Sequence, residues 1–340
     1  MTAPVAIDGR AAARERIGGV ERVARELCAR LPALHPGRYR VIRPRPRLSH
    51  KAGHAWEQLA LPVAARDARL IYCPANLAPL ASRRCVVVIH DVAALRHPEW
   101  YGRAYAAYQR AVLPLIARRA RAVLTVSEFS RREISDRLGL PPDRITVVPN
   151  GVDECFSPAA DAERAARALG LARPYALVVG TRIARKNLAA LALAAERLAA
   201  DGIALVTAGA GRTYMRDEAE APGRALGYVP DELLPGLYAG AHAVAMPSLY
   251  EGFGLPCLEA MACGTPVVAA NRAALPETCG DAALLADPDD PAAFAGALIR
   301  AAQDDDVRAR LASAGRERAA RYTWRRTAEL TDAAIGRLLA

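Results

Sequence analysis

Lysine is nearly missing from this 340-residue chain: Lys51 and Lys186 are the only two among 46 basic residues. Arginine supplies the remainder, which reads as a compositional bias. Aromatics are 5% of the chain and no nucleic-acid-binding motif is present, which argues against a nucleic-acid partner. The seven cysteines are scattered without a C-x-x-C pair, an arrangement that favours reduced thiols over a zinc site. No apolar run approaches the roughly 20 residues that span a bilayer. The first ten residues, MTAPVAIDGR, lack a charged segment followed by an apolar one, so no signal peptide is expected and a cytoplasmic location is. Internal repeats are also lacking.

The composition that remains is that of a folded protein, 52% hydrophobic and 24% charged. Its length predicts two domains. The net charge of +10 is unevenly spread: residues 1–150 carry +14 and the rest −4. A basic amino-terminal half suits an anionic membrane surface or an anionic acceptor, and equally a solvated surface in an arginine-rich protein.

Short apolar runs alternate with amphipathic ones. Strands are predicted at Val5–Ile7, Leu70–Tyr72, Cys85–Ile89, Ala122–Val126 and Ile145–Val148, then at Tyr175–Val179, Ile203–Val206, Ala225–Val229, Ala243–Met246, Pro266–Ala269 and Ala283–Leu285. Helices are predicted from about Val20 to Leu31, over Glu128–Leu138 behind the N-cap Ser127, and over Asn187–Ala200. Alternation of this kind means parallel sheets with helices on both faces, and two such units would face a shared cleft with the carboxyl ends of their strands. The turn-rich segment Pro149–Asp153 marks the boundary.

Four constellations carry chemistry. Gly18 and Gly19 open a helix after the first strand and suit either phosphate approach or tight packing. His90 and Asp91 end an apolar strand, where ligands bind in such sheets, although a lone histidine is often structural. Lys186 lies in Gly180–Asn187, a loop that opens a helix; a cation there is unfavourable for the helix dipole and asks for a compensating anion. Its bland alternative is a solvated basic turn. Finally, Glu251 and Glu259 bracket a glycine turn. Glu251 would stand at a loop tip, with Gly252 and Gly254 letting backbone approach a ligand, and Glu259 would lie within the next helix. Carboxylates accept hydroxyls, so this pair suits a polar, sugar-nucleotide-like molecule, with Glu259 on a ribose diol and Glu251 on a hexose. A cap or ion pair on a helix face is the bland account of Glu259.

These residues resemble the E-x7-E region of retaining, nucleotide-sugar-dependent glycosyltransferases of family 4, which have the GT-B fold. Ile17–Ala24, His90-Asp91, His97–Trp100, Val126–Ser130, Val148–Asp153, Arg185–Asn187, Leu275–Glu277 and Gly280–Ala282 look like the family's landmarks in order. The resemblance implies two Rossmann-like domains, 1–152 for the acceptor and 153–321 for the donor, with 322–340 as a helix returning to the first. It implies that Gly18 and Gly19 approach the donor diphosphate, that His90 stands near the transferred hexose, and that Lys186 holds the diphosphate with Arg182 as a second basic contact. The resemblance places Glu251 on the hexose, Gly252, Phe253, Gly254 and Leu255 on hexose hydroxyls and phosphate, Glu259 on the ribose, and Tyr228-Val229 by the base. No D-x-D pair is placed to hold a metal, so metal-independent transfer is expected, with no cofactor beyond the nucleoside-diphosphate sugar. The acceptor would be a glycan, lipid-linked or natural-product hydroxyl, and the enzyme would be peripheral at the inner membrane face. An epimerase or other non-transferring relative of the fold is the alternative. A phosphorylase is disfavoured, since it needs a pyridoxal lysine.

Overall fold

The computed structural model describes residues 4–14, 18–45, 53–209 and 222–340. Ile17, the first residue of the expected Gly18-Gly19 landmark, and Lys51 lie outside them. The chain divides into two units. The first comprises residues 1–96, 104–151 and 324–340; the second comprises 97–103 and 152–323.

The first unit is built on a six-stranded, wholly parallel sheet. Its strands are β1 (Val5–Asp8), β2 (Tyr39–Ile42), β3 (Leu70–Cys73), β4 (Cys85–Val88), β5 (Ala122–Thr125) and β6 (Ile145–Val147), in the order β2-β1-β3-β4-β5-β6. Strands β1, β3 and β4 are buried along their whole length; β3 and β4 are wholly apolar, and β1 ends on the buried Asp8. Ile71, Val87, Ile89 and Val123 pack with Leu113 and Ile116 of the helix Arg103–Arg119 and with Ile134 of the helix Glu128–Leu138. The latter helix begins where expected: Ser127 Oγ accepts a hydrogen bond from the Ser130 amide at 3.0 Å. A cap of this kind contributes about 1 kcal/mol.

Strand β2 was not expected from the sequence. Its residues, Tyr-Arg-Val-Ile, sit on the sheet edge with only Tyr39 buried. An edge strand half-open to solvent needs no apolar run, so periodicity does not announce it.

The second unit repeats the plan with β7 (Tyr175–Val179), β8 (Ala204–Ala208), β9 (Arg224–Gly227), β10 (Ala243–Met246), β11 (Val267–Ala270) and β12 (Leu284–Ala286). All pair in parallel, in the order β12-β11-β10-β7-β8-β9. Read from β9, this is the order 3-2-1-4-5-6 of a dinucleotide-binding sheet. Its core gathers Val178, Leu191, Leu198, Leu205, Phe294 and Leu298. The strand order reverses between β7 and β10. Loops leaving the carboxyl ends of these two strands therefore diverge and leave a crevice.

The predicted helix Asn187–Ala200 needs correction. Asn187 adopts a left-handed backbone (φ 53°), a 3-10 turn covers Leu188–Leu191, and the α-helix runs only from Ala192 to Ala200. Asparagine enters that conformation more readily than most residues, and here long-range bonds of its amide hold it there. Here Nδ2 donates to the carbonyls of Pro288 at 3.0 Å and Pro247 at 3.3 Å.

Candidate active site

The loop after β7 carries Lys186 and the loop after β10 carries Glu251. These strands are neighbours, so the two loops begin side by side before their onward connections diverge. Lys186 Nζ donates to Glu251 Oε1 at 2.6 Å, and Arg185 Nη1 lies 3.3 Å from Oε2. Backbone contacts fasten the loops together: the Leu249 amide donates to Arg185 O at 2.8 Å, and Arg185 Nη1 donates to Tyr250 O at 2.7 Å. The lysine stem passes over Gly180, where a Cβ would stand 3.0 Å from Lys186 Cε and 3.2 Å from Nζ. Glycine at that position leaves the stem its path.

Glu251 and Lys186 are both buried. Burial pushes the Glu251 carboxyl upward, but the Arg185 and Lys186 cations outweigh it and hold the group down at about 2. The expected anion for Lys186 is thus supplied by the chain itself. Lys186 also does not open an α-helix, since it ends the 3-10 turn Ala184–Lys186. Arg182 is exposed, and the second cation beside Glu251 is Arg185. The sequence signal for Arg185 was its place next to Lys186 in Arg185-Lys186-Asn187.

After Glu251 the chain turns through Gly252, Phe253 and Gly254 into the helix Leu255–Ala262. Gly254 has φ +104°, and a Cβ there would come 2.8 Å from Leu275 Cδ2. Only glycine satisfies both the angle and the space. The Phe253 carbonyl accepts from Thr278 Oγ1 at 2.5 Å and its ring meets Tyr322 edge-on, with centroids 5.8 Å apart. At the helix start Pro256 has no N–H and the Cys257 amide donates to Gly254 O at 3.0 Å, which leaves the amides of the turn itself to meet a ligand. Glu259 stands on the fifth residue of that helix, buried, with Oε2 accepting from Tyr238 Oη at 2.9 Å. Val229 is buried just beyond β9, and Tyr228 beside it is exposed.

His90, Gly18 and Gly19 belong to the first unit. His90 follows β4. Its amide donates to Asn76 Oδ1 at 2.7 Å and its carbonyl accepts from Ser130 Oγ at 2.9 Å. Its Nε2 lies 2.8 Å from Pro74 O. A carbonyl only accepts, so Nε2 carries the proton and Nδ1 keeps its lone pair. Burial holds the imidazole below its ordinary range and hence neutral at pH 7. Gly18 precedes the helix Gly19–Leu34, and its amide donates to Glu21 Oε2 at 3.0 Å. Glu21 Oε1 in turn pairs with Arg14 at 2.9 Å. Glu21 is thus the anion bound at this helix start.

Two cations and a buried carboxylate gathered at a sheet's switch point have the chemistry that suits an anionic, hydroxyl-bearing small molecule. Family comparisons agree with that class. Residues 36–156 match the model described as Glycosyltransferase Family 4, and residues 160–318 match Glycosyl transferases group 1. The chain belongs to the group 1, family 4 glycosyltransferases, and it has their two-domain GT-B fold. It is 35% identical over 294 residues to the O-antigen chain mannosyltransferase B of Escherichia coli, across 82% of this chain and 75% of that one. Among solved structures, a sucrose-phosphate synthase from Thermosynechococcus elongatus superposes with a TM-score of 0.76 at 21% identity, covering 99% of both chains. Anabaena HepE in complex with UDP and glucose superposes with a TM-score of 0.75 at 19% identity, covering 98% of this chain and 99% of its own.

Proposed function

We propose that this glycosyltransferase moves a hexose, with retention and without a metal, from a nucleoside-diphosphate sugar to a hydroxyl of a glycan, lipid-linked or natural-product acceptor. The observation that carries the reading is the Lys186–Arg185–Glu251 cluster at the β7/β10 crevice, directly before the Gly252–Leu255 turn. Lys186, Arg185 and backbone amides of the Gly252–Leu255 turn neutralise the diphosphate as the anomeric C–O bond breaks. The acceptor oxygen bonds to the anomeric carbon from the same face, and its proton passes to the departing phosphate. Glu251 faces the hexose, orienting the two cations and stabilising charge at the sugar. Glu259 holds the ribose diol, Val229 lines the base, and neutral His90 stands near the hexose with a proton on Nε2.

GDP-mannose is the first donor to test, in line with the name of the Escherichia coli relative, and UDP-hexoses come next. The basic first half suits an anionic or membrane-borne acceptor, and no described helix is long and apolar enough to cross a membrane.

Mass spectrometry of the pure protein incubated with a panel of nucleotide sugars and acceptors tests this. One nucleotide is expected to be released, with the sugar mass gained by the acceptor. Turnover should survive excess EDTA. Lys186→Ala should lower kcat/KM by about a hundredfold or more. A normal rate in that variant, or full loss of activity with EDTA, would overturn the reading.

A further inference from the structure

A second cationic feature lies at the other end of the first sheet. Arg83, Arg118, Arg119, Arg121 and Arg144, all exposed, line with the buried Ala120 an open surface hollow of about 330 Å³. Its origin is topological. Strands β4, β5 and β6 are parallel neighbours beginning at Cys85, Ala122 and Ile145. Arg83, Arg121 and Arg144 precede those starts by one or two residues, so the pairing brings all three to one edge. Arg118 and Arg119 close the helix Arg103–Arg119 just before β5 and complete the ring.

No carboxylate lines this hollow. Five guanidinium groups around one hollow lie within about a Debye length and repel. Part of the arrangement has a local cause. Arg118 and Arg119 complement the helix carboxyl terminus, and Arg144 Nη2 donates to Ala120 O at 3.0 Å. Neither cause reaches Arg83 or Arg121. The volume falls at the small end of ligand pockets, whose range starts at roughly 300 Å³. Guanidinium forks match phosphate oxygens in pairs.

We propose that this hollow is a second anion site, taking a compact phosphate-bearing ligand with two or more negative charges. It is separate from the donor crevice, which lies in the other unit. It is also remote from His90: β4 separates Arg83 from His90 by seven residues, roughly 20 Å of extended chain. A soluble polyphosphate and a phosphomonoester lipid headgroup share the required chemistry.

Titration calorimetry with inorganic tripolyphosphate tests the site on the full chain carrying Lys186→Ala, which removes the donor-loop ammonium. One saturable site is expected, weakening with salt and losing about tenfold or more in affinity when Arg83→Gln and Arg121→Gln are added. Cosedimentation with phosphatidylcholine vesicles containing phosphatidic acid forms the second arm. Tripolyphosphate binding identifies a soluble anion. Binding to the vesicles alone, lost with the two arginines, identifies a headgroup. Both arginines are exposed, so circular dichroism should show an unchanged fold. In the Lys186 background of the natural sequence, the R83Q/R121Q protein should keep normal donor turnover without added anion, which separates this proposal from the donor-site reading. Equal binding of both probes with and without the two arginines, or no binding of either, overturns it.

Discussion

Glu251 is an acid that does not titrate where enzymes are assayed. Its pKa falls from 4.5 to about 2 on folding because Arg185 and Lys186 together outweigh its burial. The folded state therefore holds fewer protons than the unfolded state between those values. Stability from this carboxylate is complete above about pH 4.5 and is lost as pH falls toward 2, on the order of 3 kcal/mol. Acid unfolding followed by fluorescence should show Glu251→Gln to be less stable than the natural sequence at pH 7, with the difference shrinking by pH 3. An equal difference at both values would remove the charge argument. In turnover, Glu251→Gln should lower kcat by about a hundredfold while leaving the affinity for the released nucleotide within a fewfold, since Lys186 and Arg185 stay. At this scale the sequence showed Lys186 and Glu251 as candidates one by one. Their bond was not legible, because 65 positions separate them. That Arg185 is the guanidinium beside Glu251 was equally hidden, since loop geometry and not spacing decides which side chain turns inward.

At the scale of elements, the turn between β10 and the helix Leu255–Ala262 is the piece with least freedom. Gly254→Ala would place a methyl against Leu275 at a positive φ, costing about 1–3 kcal/mol. The strain falls on the turn whose backbone would meet the donor. Donor KM should therefore rise by about tenfold, and hydrogen exchange should quicken over Gly252–Leu255 while β10 stays protected. An unchanged KM would mean that this turn does not present backbone to the donor. The glycines and the following helix were plain in the sequence, because turns and caps are local. Strand β2 and the 3-10 turn at Leu188–Leu191 were not. An edge strand needs only one buried side chain, and the bonds of Asn187 that break the helix reach Pro247 and Pro288.

For the whole molecule, the chain ends by returning to its first unit. The helix Trp324–Leu339 packs on the helix Gly19–Leu34. Asp332 joins Arg38 at 2.7 Å, Tyr39 Oη at 2.5 Å and His35 at 3.0 Å. Burial and the neighbouring carboxylate push the Tyr39 phenol upward, so it stays a donor throughout the working pH range. Asp332→Ala leaves these donors without their acceptor, and amides of the last helix should exchange about tenfold faster or more, with β4 and β5 unaffected. Uniform protection would show that apolar packing alone holds the helix. The sequence by itself determined two parallel α/β units and the family to which they belong, because strand runs, caps and glycine turns are written in neighbouring residues. Only the tertiary structure decided that Glu251 satisfies Lys186 and Arg185, that His90 is neutral with its proton on Nε2, and that five arginines from three connections share one hollow. Those outcomes depend on strand order, which brings residues far apart in the chain to the same edge of a sheet.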